Sequence, residues 1–499
     1  MKRCLLLGCL LLFVFGFCVN SALAAEQSPP ISEATQSCLD CHSEATPGIV
    51  AGWEKSAHAR TTVARGLKRP ELEQRVSAGD KAPEEFKNFA VGCAECHIGT
   101  VEHPDAFQHD EFMVHTVVSP RDCAQCHPKE VSQYAENIMS QAHGNLMNNP
   151  VYLDLVKQVA GRFKFKPSGL AHTPPLDMDL ADSCLYCHGA KVEQKGVRKV
   201  VTDLGEFEFP VWSNWPNHGV GRINPDKSKG SCAACHSRHT FSIEMARKPA
   251  TCSECHKGPD VPAYKVYEVS KHGNLYKSLG HKWNFKSVPW VAGKDYNAPT
   301  CAACHISLVT DPAGNVVAKR THRMNDRLGN RLLGLIYAHS HPKSPDTSII
   351  KNADNLPLPT TLSGQEAEKF LIGEKEKQKR REAMSGICLS CHASGWVEGH
   401  FARLDNTIDY TNQMVKASTQ TLAKAWEKGQ VKGLDQKDSM FNESLERLWA
   451  GQWLIYANNI RLAAAMAGAD YGTFADGRWQ LSNRLLEMQK RLDQGSTKK

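Results

Sequence analysis

Beyond residue 18 this 499-residue sequence has no cysteine outside one recurring pattern, so none is left for a disulfide framework. Aromatic residues make up only 8% and the mean hydropathy is −0.42, which leaves a thin protein-only core for a chain long enough to hold two or three ordinary domains. After the first 25 residues no apolar run is long enough to cross a bilayer. Strand-like alternation is scarce as well, confined to Val200 to Phe209, which argues against a mainly β architecture. No sign of charge dominates: 60 Lys and Arg against 53 Asp and Glu leave +7, no basis for a nucleic-acid partner.

What the sequence does have is the C-x-x-C-H unit, eight times. The units are Cys38, Cys41 and His42; Cys93, Cys96 and His97; Cys123, Cys126 and His127; Cys184, Cys187 and His188; Cys232, Cys235 and His236; Cys252, Cys255 and His256; Cys301, Cys304 and His305; and Cys388, Cys391 and His392. Composition alone gives on the order of 0.03 such units by chance. Structural zinc sites also use C-x-x-C pairs, but they do not require a histidine directly after each second cysteine. Two thioethers three residues apart reach the two vinyl positions of one porphyrin, and the adjacent histidine then lies under the iron. The expectation is eight covalently bound haem c groups, filling the interior that aliphatic side chains do not.

Residues 1–25 read as a cleaved secretory signal, with Lys2 and Arg3 at the start, an apolar run from Leu5 to Val19, and Ala22-Leu23-Ala24-Ala25 at the cleavage site. A lipoprotein box at Leu6-Leu7-Gly8-Cys9 and an uncleaved anchor are the alternatives. Export agrees with c-type haem attachment and predicts a periplasmic or otherwise exported protein. Without Lys2 and Arg3, and with two propionates against one net positive charge per ferric porphyrin, the balance turns to about −3.

First cysteines are 55, 30, 61, 48, 20, 49 and 87 residues apart, too irregular for a tandem module. Between them Pro70, Pro83, Pro120, Pro174, Pro175 and Pro216 break regular structure into short helices and loops. Pro342 to Gly364 reads as a loop, and the charged stretch Gln365 to Glu382 as a solvated helix. Residues 401–466 carry long helical patterns, with Leu445, Leu448, Trp449, Trp453, Tyr456 and Ile460 at helical spacing for a core or a subunit contact. The predicted fold is thus a mainly α multihaem cytochrome c with little β structure: an octahaem core over residues 26–400 and a C-terminal long-helix region over 401–499, suited to subunit packing.

Fourteen histidines lie outside the motifs. A haem that only transfers electrons takes a second strong axial ligand, and His58, His115, His143, His239, His272, His322 and His400 are the candidates by sequence setting. A haem left open on one side binds and transforms a small molecule. A further histidine, His218, stands between the fourth and fifth motifs.

The eight motifs and their spacing resemble the octahaem hydroxylamine oxidoreductase family, as do Pro216-Asn217-His218-Gly219-Val220-Gly221-Arg222-Ile223-Asn224-Pro225, the Cys232 to His239 run, and Cys388-Leu389-Ser390-Cys391-His392 followed by Trp396 and His400. The resemblance covers nearly the whole chain after the leader. It implies that haem four, on Cys184, Cys187 and His188, is catalytic and open on its far side, and that Asn217-His218 matches the family's distal Asp-His pair. His218 is then the candidate proton donor; Asn217 departs from the acidic pattern and cannot take a proton. The other reading of His218 is an axial ligand.

The family's hydroxylamine-oxidising members carry a C-terminal tyrosine, given by a neighbouring subunit of a trimer, bonded to the catalytic haem. Tyr471 is the candidate here, but Gly472 to Gly477 lacks the tryptophan-histidine pair of that neighbourhood. The resemblance therefore implies a homotrimer acting on a small inorganic nitrogen substrate. The expected reaction is reduction of nitrite or hydroxylamine towards ammonia, with a cytochrome or a quinone-linked membrane protein as redox partner. Hydroxylamine oxidation, action on sulfur oxyanions, and an electron conduit without substrate are the alternatives.

Overall fold

The computed structural model describes residues 28–99, 102–203, 205–468 and 472–496. The leader and Tyr471 lie outside the described residues. About 46% of the described residues are helical against 12% strand, so the mainly α class holds. No helix among the described residues is long and apolar enough to cross a membrane.

The motifs sit on or at the ends of short helices, among them Cys93–His97, Cys184–His188 and Cys301–His305. Local chemistry starts these turns. Ser119 caps Pro120–Ala124, with proline at the first helical position and the Asp122 carboxylate accepting back from the Ser119 N–H at 2.7 Å. Buried Glu95 accepts from the Gly92 N–H at 2.7 Å, Ser32 Oγ at 2.6 Å and Thr35 Oγ1 at 2.9 Å. It thereby ties helix Cys93–His97 to helix Glu33–Ala45, which carries the first motif. Gly92 is required for that approach: a Cβ there would stand 2.4 Å from Thr35.

The strands form small sheets of two or three, and they correct the sequence reading in detail. Val200 to Phe209 is not one strand but the tip of an antiparallel hairpin, Glu193–Thr202 with Gly205–Ser213, bulged between Gln194 and Gly196. A second hairpin, Arg162–Lys166 with Gly169–Thr173, was not expected, although Phe163 and Phe165 alternate with lysines. Both faces of that hairpin are largely exposed, so it lacks the one-sided apolar burial by which strands are read from sequence.

The charged stretch is also rearranged. Its helix is Glu374–Cys388, whereas residues 365–373 are held as turns by Gln365 N–H to Thr361 Oγ1 at 3.0 Å and Ser340 N–H to Glu366 Oε1 at 2.9 Å. The expected boundary at 400/401 falls inside the 34-residue helix Ser394–Glu427, roughly 50 Å long.

That helix packs with Ser444–Gly451, a π-helical turn at Gln452–Ala457, Asn458–Ala465 and Arg478–Ser496. Val415, Leu422, Trp426, Phe441, Trp449, Trp453 and Met488 form the largest apolar cluster, joined by Val151, Leu335 and Tyr337 from the haem-motif region. The helical face carrying Trp449 and Trp453 is therefore core, not an open stripe. Buried Arg461 donates to Thr411 Oγ1 at 2.8 Å, Asn412 Oδ1 at 2.7 Å and the Leu332 carbonyl at 3.2 Å, fastening these helices to the preceding loop.

Candidate functional site

The structure brings motif histidines opposite other histidines that are far away in sequence. Ring centroids stand 6.1 Å apart for His42 and His109, 6.3 Å for His127 and His58, and 6.4 Å for His97 and His239. They are 6.5 Å apart for His236 and His322 and 6.1 Å for His392 and His272. A metal–nitrogen distance of about 2 Å, plus roughly 1.1 Å from nitrogen to ring centre, puts two imidazoles on opposite sides of one metal about 6.3 Å apart. All ten rings are half-buried. Burial and then the opposing ring lower the pKa of His42, of His58 to about 4, and of His236 to about 4, as for two imidazoles aimed at one point.

Several motif rings are oriented through Nδ1, which leaves Nε2 for iron. His42 Nδ1 pairs with Thr46 Oγ1 at 2.9 Å, and Nδ1–H donates from His97 to the His115 carbonyl at 2.8 Å, from His127 to Arg75 at 3.1 Å and from His188 to Ala142 at 3.2 Å. The residues present fit a covalently held haem at these positions.

Four of the seven expected distal histidines thus find a motif ring: His58, His239, His272 and His322. His109 takes part without having been expected; it sits on the short hairpin Phe107–His109 with Phe112–Val114, under Phe207 at 5.5 Å and Phe209 at 6.2 Å. Its neighbours in sequence carry no ligand signature. His143 is half-buried, its Nδ1–H donates to the Gly189 carbonyl at 2.7 Å, and it lies close enough to His188 to add to the lowering of that ring's pKa, which burial leads. His400 is buried, its ring parallel to Trp396 at 5.4 Å. His115 stands 6.1 Å from His97, but it is buried and stacked on His103 at 3.6 Å, so His239 is the better counterpart of His97. No such ring contact is found for His188, His256 or His305 among the described residues.

The motif cysteines form a continuous series. Cys93 is raised by burial and then by Cys38, Cys96 by burial and then by charges that include Cys126, and Cys235 by burial and then Cys252, each pair being close enough to repel. Cys304 is raised likewise by burial and Cys388. Side chains lie directly against one another at Cys123 and Cys232, Cys187 and Cys255, and Cys252 and Cys301.

Around the fourth motif, residues 217–223 are laid on residues 185–192. Val220 N–H donates to the Cys187 carbonyl at 3.0 Å and Ile223 N–H to Ala190 at 3.1 Å. Gly189 adopts φ +89°, and a Cβ on it would stand 2.2 Å from Arg222 N. Asn217 corrects the sequence reading: it is buried and its amide is spent on backbone. Oδ1 accepts from Ala190 N–H and Gly219 N–H, both at 3.1 Å, and Nδ2 donates to the Leu185 carbonyl at 3.1 Å. The amide clamps the two segments together, and the Leu185 contact needs a donor that aspartate lacks.

The side chain that does project is His218, which is exposed and accepts at Nε2 from Arg238 at 2.9 Å. Burial of the ring nitrogens, then Arg238 and Arg222, lower its pKa to about 4. Arg238 lies over the Trp215 ring at 5.1 Å. Arg222 is buried and committed to Asn224 Oδ1 at 2.7 Å and to the Asn217 and Val118 carbonyls at 3.0 Å. Among the described residues, no carboxylate is found with the groups that set the charge of His218.

A solved structure described as a hypothetical multiheme protein superimposes with a TM-score of 0.89 at 38% identity, covering 94% of this chain and 97% of that one. The family described as seven times multi-haem cytochrome CxxCH matches residues 205–329, and cytochrome c554 and c-prime matches residues 37–118. A probable nitrite reductase-hydroxylamine oxidoreductase fusion protein of Kuenenia stuttgartiensis is 27% identical over 381 residues, 72% of this chain. This chain is a multihaem c-type cytochrome. It spans 34% of the fusion protein's length. A reducing HAO-like protein complex of the same organism shares the fold at 16% identity and a TM-score of 0.60, covering 93% of this chain and 86% of that one. Like the multihaem families it matches, the cytochrome carries covalently bound c-type haems.

Proposed function

We propose that this cytochrome is an exported octahaem oxidoreductase that reduces nitrite, and hydroxylamine derived from it, towards ammonia at the haem of Cys184, Cys187 and His188. The observation that carries the reading is the His218–Arg238 pair, set by the Asn217 clamp beside that motif, with cationic groups around it and no carboxylate. Nitrite is an anion and hydroxylamine is neutral at pH 7, so such a surround favours an oxyanion as substrate. Oxidation of hydroxylamine needs a base to remove protons, and Asn217 is not one.

When bound, the haem supplies an iron position for the nitrogen of the substrate and a route for electrons. The chain does the rest. Arg238 attracts the oxyanion and donates to it, and His218, neutral until the anion arrives, becomes easier to protonate beside it and passes a proton to the leaving oxygen. Trp215 under Arg238 keeps the guanidinium in place. Electrons come from a redox partner, a soluble cytochrome or a quinone-linked membrane protein. Assembly as a homotrimer belongs to the same reading, as does a free Tyr471.

The test is a ferric EPR spectrum of the purified holoprotein, alone and with nitrite, alongside ammonia production from nitrite with reduced viologen. The expected result is a high-spin signal that nitrite perturbs, and ammonia. Eight low-spin irons indifferent to nitrite and hydroxylamine would leave a conduit and end the enzyme reading. Turnover of sulfite or tetrathionate alone would move the substrate to sulfur.

A further inference from the structure

Four ionisable side chains that the reading above leaves unused meet beside the second and third motifs. His103, Asp105, His115 and Asp122 are 6%, 1%, 2% and 8% exposed. The His103 and His115 rings stack face to face, centroids 3.6 Å apart and 1° from parallel. Both turn Nε2 towards one carboxylate: His103 stands 2.8 Å from Asp122 Oδ1 and His115 3.6 Å from Asp122 Oδ2. Behind His103, its Nδ1 faces Asp105 Oδ1 at 3.4 Å. The hydrogen bonding does not close: among the described residues, His115 Nε2, His103 Nδ1 and both Asp105 oxygens are buried without a hydrogen-bond partner. Nor does the charge. Two carboxylates against one imidazolium leave a net negative charge, and a second imidazolium stacked at 3.6 Å would repel the first.

We propose that His103 Nε2, His115 Nε2 and the Asp122 carboxylate hold a divalent transition-metal ion of the zinc class. One donor atom from each of the three already lies within 4.8 Å of the others. Tetrahedral ligands at about 2.0–2.1 Å stand about 3.3 Å apart, so closure takes side-chain shifts on the order of 1 Å. The ion displaces the proton between His103 and Asp122, and two carboxylates then balance its charge with both imidazoles neutral. Asp105 accepts from His103 Nδ1–H, the carboxylate–histidine–metal arrangement that fixes a ligand's tautomer and orientation. Asp122 is held in advance by the Ser119 N–H. Two imidazoles suit zinc better than calcium or magnesium, and a water completes the fourth position.

The ion would act as a staple. Residues 103–115 enclose the hairpin that carries His109, and Asp122 immediately precedes the third motif. The His115 carbonyl also receives the Nδ1–H of His97. One ion therefore fastens the surroundings of the first three motifs together.

The experiment is elemental analysis of the holoprotein, purified without chelator, incubated with Zn2+ and dialysed. It is run beside H103Q, H115Q and D105N, with zinc-edge X-ray absorption on the parent. The expected result is about one zinc per eight irons, with two imidazoles and only N or O neighbours at about 2.0–2.1 Å. H103Q and H115Q lose the zinc, and D105N binds it about 10–100-fold more weakly. A parent that retains no zinc, a sulfur-containing shell, or full occupancy in both histidine variants would overturn the site. If the variants do not fold, the stoichiometry and spectrum of the parent decide alone.

Discussion

At the scale of the residue, the proposed function divides the work between the charge of Arg238 and the proton of His218. A guanidinium only donates, so the Arg238 contact at 2.9 Å makes Nε2 of His218 the acceptor and puts the ring proton on Nδ1. Replacing His218 by glutamine removes the proton donor and is expected to lower kcat for nitrite by about 10²–10⁴, with the low-spin absorption unchanged. Because burial and the two arginines hold the His218 pKa at about 4, its protonated fraction grows as pH falls. Thus kcat/KM for nitrite should climb from pH 8 towards pH 4, and H218Q should lose that limb; a flat parent profile would exclude His218 as donor. R238Q should raise KM for nitrite by roughly ten- to a hundredfold, the worth of a charged hydrogen bond, and leave KM for hydroxylamine nearly unchanged. His218 was legible because the resemblance reaches it through consecutive residues. The role of Asn217 was not, since its partners lie at 185 and 190 and only folding brings them to its amide. His109 was hidden for the same reason: its counterpart His42 is remote in sequence, and a two-strand turn leaves no periodic mark.

At the scale of the element, the segment 217–223 and the C-terminal helices illustrate different kinds of hold. The segment is fastened by hydrogen bonds, so N217D exchanges the donor to the Leu185 carbonyl for a carboxylate facing an acceptor. A loss of about 1–3 kcal/mol is expected, read as a lower urea midpoint. N217D should not create hydroxylamine oxidation, because the new carboxylate would sit in the clamp and not beside substrate; gain of that activity would show the clamp assignment to be wrong. The helices are fastened by apolar area. Trp449 is fully buried, stacks on Phe441 at 6.0 Å and donates Nε1–H to Thr419 Oγ1 at 2.9 Å. W449A should cost about 3–5 kcal/mol by thermal or urea unfolding while the haem spectrum of the folded protein stays the same. The helical period announced these elements in sequence. Their boundaries escaped it: Ser394–Glu427 begins before the last histidine candidate, and Glu366 is held in a bridge to Thr360 with its carboxylate on the Ser340 N–H, against the helical preference of the charged run around it.

At the scale of the molecule, the cysteine neighbours show which motifs lie side by side, and on the proposed function adjacent haems are the ones that exchange electrons. Motifs one, two, three, five, six, seven and eight follow one another through Cys38 and Cys93, Cys96 and Cys126, Cys123 and Cys232, Cys235 and Cys252, Cys252 and Cys301, and Cys304 and Cys388. The fourth motif stands beside this line and meets it where Cys187 lies against Cys255. On the proposed function, the sixth haem is then the neighbour that hands electrons to the fourth. Methionine in place of histidine raises the potential of a haem, so H256M makes the sixth haem hold its electron. Each 59 mV of that rise disfavours departure tenfold for a one-electron couple, and kcat for nitrite should fall accordingly. KM should move little, because His218 and Arg238 are untouched. A redox titration should show one haem shifted positive and the remainder in place. Equal kcat in H256M, with that shift present, would mean that the fourth haem is supplied by some other neighbour.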